Sequence, residues 1–219
     1  MKRFVFYRNL KPNMKRLFYI IILLFAFQTE AQTIIQKSFS AEKLSAIHIN
    51  GNFMFHISIE TTASNTIEMV SRVEGENSEH VVLVTEIKNN TLYVSSKFQP
   101  LFADANDKLS AHKVMSIELT LSIPENQTVY IVSDIASIEM KGKYNSATVE
   151  LTNGDCILNP FQGQAVINTI QGAISVHANF AKVDAFTKHG VLHSEALSSG
   201  NHLLSLHSIN GDITITKSQ

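Results

Sequence analysis

The 219-residue sequence predicts an all-β protein that ends in a parallel β-solenoid, a single-stranded β-helix with about 18 residues per coil. Two patterns carry this prediction. Small residues recur at a constant spacing in the C-terminal half, and apolar and polar residues alternate on both sides of each small residue. No segment after residue 32 shows a strong helical period. The composition, 44% hydrophobic and 17% charged, suits a globular core and excludes a disordered or disulfide-stapled chain.

The constant spacing defines five repeats. Ala136, Gly154, Gly172 and Gly190 lie 18 positions apart, and Gly211 follows after 21 positions, with three extra residues before it. The first to fifth repeats are residues 129–146, 147–164, 165–182, 183–200 and 204–219. Because an 18-residue unit is too short for a β-α-β crossover of about 30 residues, each repeat is predicted to be one coil of stacked strands.

Three apolar columns support this register. Five positions before the small residue stand Ile131, Val149, Ile167, Ala185 and Leu206. Two positions after it stand Ile138, Cys156, Ile174, Leu192 and Ile213, and four positions after it stand Met140, Leu158, Val176, Ser194 and Ile215. Period-2 alternation predicts two strands per repeat, with a corner between them at the small residue. A sandwich of hairpins is the alternative, although it would not require columns at a constant spacing. Cys156 is predicted to be a buried thiol rather than a nucleophile.

The preceding segment, residues 32–124, is β-rich without the 18-residue period, and we expect it to cap one end of the solenoid. Residues 47–59 alternate about Asn50-Gly51, which indicates a bend or a hairpin. Asn89-Asn90 indicates a tight turn between two strands. Further strands are predicted at residues 66–73, 80–87, 91–96 and 116–123, and a loop at residues 97–113. Residues 125–219 hold the repeats, and residues 32–219 are expected to form one continuous domain.

Residues 1–31 have the features of a signal peptide. Six Lys and Arg side chains precede or flank an apolar run at residues 17–27, and Thr29 and Ala31 form a small-x-small cleavage site. An uncleaved anchor and a start at Met14 are the alternatives. Cleavage would leave 12 basic and 18 acidic residues, a net charge of −6, which argues against a nucleic-acid partner. An exported chain with one Cys and no internal disulfide fits a bacterial periplasm, outer membrane or cell surface.

Several segments, in order, resemble one bacterial family. These are the strand pair at residues 47–59, Asn89-Asn90-Thr91-Leu92-Tyr93-Val94, residues 119–124, and the corners Asn153-Gly154-Asp155-Cys156 and Asn210-Gly211-Asp212-Ile213. Together they resemble the putative-adhesin families of β-strand repeats, including the head GIN domain of putative autotransporter adhesins. The resemblance covers nearly all of residues 34–219 and departs at Ile135-Ala136, where the corner has no Gly. It implies an exported β-helical protein of the cell envelope.

The candidate site residues are structural. Asn153, Gln171, His189 and Asn210 precede Gly154, Gly172, Gly190 and Gly211, and stacked coils would align them in a corner ladder of hydrogen-bonding side chains. A polar groove for a glycan is the alternative. His189 would make one rung of the ladder sensitive to pH.

No catalytic, metal or cofactor site is predicted. His189 and His193 stand four positions apart, about 13 Å along a strand, and only two corners carry the Asp that a calcium roll would need. No nucleophile elbow, P-loop or dinucleotide fingerprint occurs.

The sequence therefore favours an exported, non-catalytic envelope protein of adhesin type. Its partner is expected to be an envelope protein or a surface glycan. A scaffold without a small ligand and a glycan-active β-helix enzyme are the alternatives. Because the fifth repeat ends without an evident cap, we expect another subunit or a loop to cover its edge, so that a homo-oligomer would form through the end of the solenoid.

Overall fold

The computed structural model describes residues 33–75, 78–98 and 116–218. The predicted signal peptide and most of the predicted loop at residues 97–113 lie outside these residues. Within them the protein is all-β, with one 3-10 turn at Ser78–His80 and no helix long and apolar enough to cross a membrane. The strands are β1 Thr33–Ser40, β2 Ala46–Asn50, β3 His56–Thr62, β4 Thr66–Glu74, β5 Val81–Lys88, β6 Thr91–Phe98, β7 Ser116–Pro124, β8 Thr128–Ser133, β9 Ser137–Asn153, β10 Cys156–Gln171, β11 Ile174–Ala178, β12 Ala181–Thr187, β13 Leu192–Ser194, β14 His202–Ser208 and β15 Ile213–Lys217.

Hydrogen bonding joins all fifteen strands into one sheet, in which two rows can be followed. The first row runs β5-β6-β2-β8, continues through the second halves of β9 and β10, and ends β14-β12. The second row runs β1-β4-β7-β3, continues through the first halves of β9 and β10, and ends β11-β15-β13. The long strands β9 and β10 belong to both rows and connect them. Pairing is parallel except at β1-β4, β4-β7 and β5-β6.

Within each apolar column of the sequence, the successive residues are neighbours in the structure. Cys156 pairs with Ile138 on one side and with Ile174 on the other, each 18 positions away. Ile167 likewise pairs with Val149. These side chains are fully buried and belong to one hydrophobic core that extends through both rows. Alternation in the sequence therefore places one member of each repeat in the same core column.

The last two repeats stack in the reverse of their sequence order. Leu206 of the fifth repeat pairs with Ile167 of the third on one side and with Ala185 of the fourth on the other. In the second row, β15 lies between β11 and β13 in the same way. The fifth repeat therefore has a neighbouring repeat on both sides, and the prediction that another subunit or a loop covers its edge is wrong. The fourth repeat covers that edge and is itself the end of the stack.

The segment at residues 47–59 forms a corner and not a hairpin. β2 pairs with β6 and β8, whereas β3 pairs with β7 and β9, so the two strands belong to different rows. Ile49 pairs with Ile131, and Ile57 pairs with Ile138, which extends the apolar columns to the strand pair β2 and β3. The predicted turn at Asn89-Asn90 is confirmed, because both residues have positive φ and join the antiparallel strands β5 and β6.

Antiparallel strands form the N-terminal end of the two rows. The outermost strands there are β5 in the first row and β1 in the second. Lys37 of β1 faces inward, and its Nζ donates to the carbonyl of Leu83 at 2.7 Å and to Oγ1 of Thr85 at 3.0 Å, both on β5. An inward-pointing lysine protects an edge strand from pairing with another chain. At this end of the stack, the ammonium group of Lys37 therefore connects the two rows and protects the edge from further strand pairing.

Candidate functional site

The outer face of the first row carries three aromatic rings on neighbouring strands. His48 of β2 pairs in register with Tyr93 of β6 and with Tyr130 of β8. The ring centroid of His48 lies 5.4 Å from that of Tyr93 and 6.4 Å from that of Tyr130. Both tyrosines are 41% exposed. Flat, solvent-facing rings of this kind provide an apolar contact surface with a polar edge. We call these three residues the aromatic strip.

A groove of about 610 Å³ begins beside this strip and crosses the strands that follow β8. Its floor is one outward column, in which Val132, Glu150, Asn168, His207 and Phe186 are successive partners. Strands about 4.8 Å apart give this column a length of about 19 Å. Tyr130 and Val132 are both exposed on β8, two positions apart, so the strip and the groove form one continuous surface. We call it the outer groove.

The lining of the outer groove mixes apolar and charged groups. Four exposed apolar side chains contribute to it, Val132, Ile170, Phe186 and Ile209. Between them stand two carboxylates, one amide, one imidazole and one ammonium group, from Asp134, Glu150, Asn168, His207 and Lys188. The Oγ1 of Thr152 donates to Oδ1 of Asp134 at 3.2 Å, which orients that carboxylate. Apolar patches with a few convergent polar groups are typical of ligand sites.

The glycines of the predicted corner ladder touch one another through the backbone. A Cβ on Gly172 would collide with the carbonyl oxygen of Gly154, one on Gly211 with that of Gly172, and one on Gly190 with that of Gly211. The order along the column is therefore 154, 172, 211, 190. Each glycine is required because a neighbouring main chain occupies the space that a side chain would need. Gly154 additionally has a φ of +108°, which L-residues rarely adopt.

Main-chain hydrogen bonds attach each residue before a corner glycine to the neighbouring repeat. The N–H of Gly154 donates to the carbonyl of Gln171 at 3.1 Å, the N–H of Asn210 to Ile170 at 3.0 Å, and the N–H of His189 to Ile209 at 2.9 Å. The Nδ2 of Asn153 donates to the carbonyl of Asp134 at 3.0 Å. Asn153, Gln171, His189 and Asn210 are all exposed. The ladder of their side chains stays a prediction.

The Asp that follows two of the corner glycines has a structural contact. Oδ1 of Asp155 accepts the N–H of Ala173 at 2.8 Å, and Oδ1 of Asp212 accepts the N–H of Val191 at 2.7 Å. Each carboxylate therefore binds the adjacent repeat at the equivalent position. This contact accounts for the recurring Asn-Gly-Asp without a calcium ion. Among the described residues, no three His, Cys, Asp or Glu side chains come together as metal ligands.

A column of buried or half-buried hydroxyls was missed at the sequence level. Three positions before the small residue stand Ser133, Thr169, Thr187 and Ser208, with Leu151 as the exception. The Oγ1 of Thr169 donates to Oγ of Ser208 at 2.9 Å, and the Oγ1 of Thr187 donates to the carbonyl of Gly211 at 2.8 Å. These hydroxyls satisfy corner carbonyls that would otherwise be buried without a partner. A hydroxyl residue recurring at one fixed offset was the available signal.

Cys156 is fully buried, as predicted. Burial, and secondarily the charge of Asp155, raise the pKa of the Cys156 thiol to about 12. A neutral, inaccessible thiol cannot act as a nucleophile at physiological pH. Tyr144 is also buried, and its hydroxyl donates to the carbonyls of Ile59 at 2.8 Å and Lys141 at 3.1 Å. Burial raises the pKa of this phenol well above its ordinary value.

One solved structure shares this fold at low sequence identity, and others are more distantly similar. A putative cell adhesion protein from Clostridium sporogenes matches with a TM-score of 0.59 and 13% identity, covering 86% of this chain and 100% of that chain. Putative adhesins from Bacteroides fragilis and Parabacteroides distasonis give TM-scores of 0.39 and 0.35, at 12% and 8% identity. They cover 84% and 83% of this chain and 97% of each of those chains. No family model and no curated protein matches the sequence. The first of these structures shows a common fold, whereas membership of the head GIN family stays a prediction.

Proposed function

We propose that the protein is an exported, non-catalytic binding module of adhesin type, located in the periplasm, on the outer membrane or on the cell surface. The observation that carries the proposal is the continuous surface formed by the aromatic strip and the outer groove. A scaffold without a ligand would be expected to expose a plain polar face. Here, aromatic, aliphatic and acidic side chains are aligned across seven neighbouring strand segments, from β6 to β12.

The same proposal includes a finer description of the fold. Parallel neighbours 18 positions apart, with corners at the glycines, support a β-solenoid in which each repeat is one coil. Such a scaffold places equivalent outward residues about 4.8 Å apart, and thereby produces a regular recognition surface from short repeats. The fold shared with a putative cell adhesion protein supports the proposed adhesin-type function.

A surface glycan is the ligand class that the outer groove favours over an envelope protein. A sugar ring presents an apolar face, which stacks on an aromatic ring, and a rim of hydroxyls, which hydrogen-bond to carboxylates and amides. Tyr130 supplies the ring at the start of the groove, and Glu150 and Asn168 supply polar partners along its floor. The long, open shape suits a chain of sugars better than a compact metabolite.

The test is a glycan array combined with a pull-down from envelope extracts, using protein expressed from the full-length sequence. We expect capture of a defined glycan class. Tyr130→Ala should weaken it roughly fivefold, since a lost ring contact costs about 1 kcal/mol. Glu150→Gln should weaken it further by removing a charge-assisted acceptor. Phe55→Ala is the control, because Phe55 is 61% exposed and does not line the groove.

The outcomes separate the competing functions. Equal capture by wild type and both groove variants would place binding elsewhere on the molecule. Failure to capture any glycan or envelope protein would contradict the binding module and favour a scaffold. Release of a shortened glycan during incubation would contradict the non-catalytic assignment.

A further inference from the structure

The stack has an open end at the fourth repeat. In the part of the chain that the structure describes, β12 pairs with β14 alone and β13 with β15 alone. Leu192 is 44% exposed, whereas Ile213, Ile174 and Cys156 of the same core column are fully buried. Val183, Ala185 and Leu197 pack against the core but are only partly buried. Two strand edges and the end of the core are therefore left without a further coil.

This end lacks the protection found at the opposite end. The inward side chains of β12 are Ala181, Val183, Ala185 and Thr187, none of them charged, whereas β1 turns Lys37 inward. An edge without an inward charge is competent to pair with another strand. The outward side chains of β12 are Lys182, Asp184 and Phe186, all exposed, with Phe180 just before the strand.

We propose that the occupant of this edge is a second copy of the same chain, which pairs β12 with β12 antiparallel about a two-fold axis at Val183. A two-fold axis perpendicular to a strand makes the contact antiparallel and self-complementary. In this register, position 182 faces position 184 of the other copy, so that Lys182 lies opposite Asp184 twice. On the core side, Val183 faces Val183, and Ala181 faces Ala185.

Charge complementarity selects this partner and register. Directly opposed residues of an antiparallel pair share a face and stand about 5 Å apart, so opposite charges attract and like charges repel. Moving the axis by one position, to Asp184, would place the two Asp184 carboxylates opposite each other. Phe186 of each copy comes near Phe180 of the other, which would cover two of the most exposed aromatic rings of the protein. The dimer thus extends the first row through the open end.

The first test uses charge reversal and sedimentation velocity on protein expressed from the full-length sequence. We expect a reversible dimer. Asp184→Lys should weaken it at least about tenfold, since each symmetric contact becomes a lysine pair. The double variant Lys182→Asp/Asp184→Lys should restore the dimer because the attractive pairs are regenerated. Glu139→Lys, an equally drastic change at an exposed position in the middle of the second row, should leave it intact.

The second test reads the register directly and does not depend on charge. Val183→Cys should form a covalent dimer under mild oxidation, because Cα atoms about 4.5–5.5 Å apart lie within disulfide range. Ala185→Cys should not, since the two thiols would be about 13 Å apart along the strands. A monomer at the highest soluble concentration, a dimer unaffected by Asp184→Lys, or equal cross-linking of both cysteine variants would overturn the proposal.

Discussion

Replacing Gly172 by alanine tests whether the corner column is built on main-chain contact. The added Cβ would overlap the carbonyl oxygen of Gly154 and lie 2.7 Å from its carbonyl carbon. Both atoms are backbone, so no side chain can rotate away. The φ of Gly172 is not in the left-handed region, and any cost therefore comes from crowding between coils rather than from local strain.

The cost follows from the depth of the overlap. Forcing an extra methyl group into a packed interior costs typically up to about 3 kcal/mol, and here two neighbouring repeats must separate to admit it. For a domain of this size, about 3 kcal/mol lowers the Tm by roughly 6–12 °C. Circular dichroism at a β-sheet wavelength, followed through thermal and urea unfolding, measures both the Tm and the free energy of unfolding.

The natural exception provides the control. Ala136 holds the corner position of the first repeat and is fully buried. Ile49 and Ile57 are eight positions apart, and they pair with Ile131 and Ile138, which are seven positions apart. The neighbouring corner between β2 and β3 is therefore one residue longer than the corner at Ala136. Ala136→Gly should therefore cost only about 1 kcal/mol, the ordinary effect of chain flexibility. If Gly172→Ala melted within 2 °C of wild type, crowding would not be the reason for the glycine.

Three further changes have expected outcomes. Tyr144→Phe removes the hydroxyl bonded to the Ile59 carbonyl and should lower the free energy of unfolding by about 1–2 kcal/mol in urea titration, with refolding intact. Asp155→Ala leaves the Ala173 N–H without its acceptor and should cost about 1 kcal/mol in the same titration, whereas an unchanged midpoint would contradict a role in joining coils. Burial raises the pKa of Cys156 to about 12. The free energy of unfolding should therefore fall as the pH rises from about 9, where the thiol of the unfolded chain ionises. A thiol reagent that labels the native protein at pH 8 would refute the burial of Cys156.

Local patterns in the sequence predicted the strands and columns well because each depends on neighbouring residues. The turn at Asn89-Asn90 depends on two residues that tolerate positive φ, and the pairing of Cys156 with Ile138 and Ile174 depends on a constant spacing. The aromatic strip could not be predicted in this way. His48, Tyr93 and Tyr130 come from distant segments, and only the non-sequential order β6-β2-β8 brings their rings together.

The reversed order of the last two repeats has a physical cause that is visible in the core columns. At equivalent inward positions the fourth repeat has Ala185 and Ser194, whereas the fifth has Leu206 and Ile215. A coil inside the stack is covered on both sides, so the larger apolar side chains gain more there, at roughly 25 cal/mol for each Å² removed from water. Leu206 and Ile215 are accordingly at most 1% exposed, whereas Ala185 and Ser194 lie at the open end.

The repeat that lies at the end of the stack also determines which strand can pair with the open edge. A terminal coil rich in Leu and Ile would expose a strongly apolar surface with little geometric selectivity. Strand β12, at the junction of the third and fourth repeats, instead presents Lys182 and Asp184 on either side of Val183 at a strand edge, which allows one antiparallel register and disfavours the next. Inserting the fifth repeat therefore buries the more hydrophobic repeat and leaves at the surface the edge of β12, whose charge pattern can discriminate among partners.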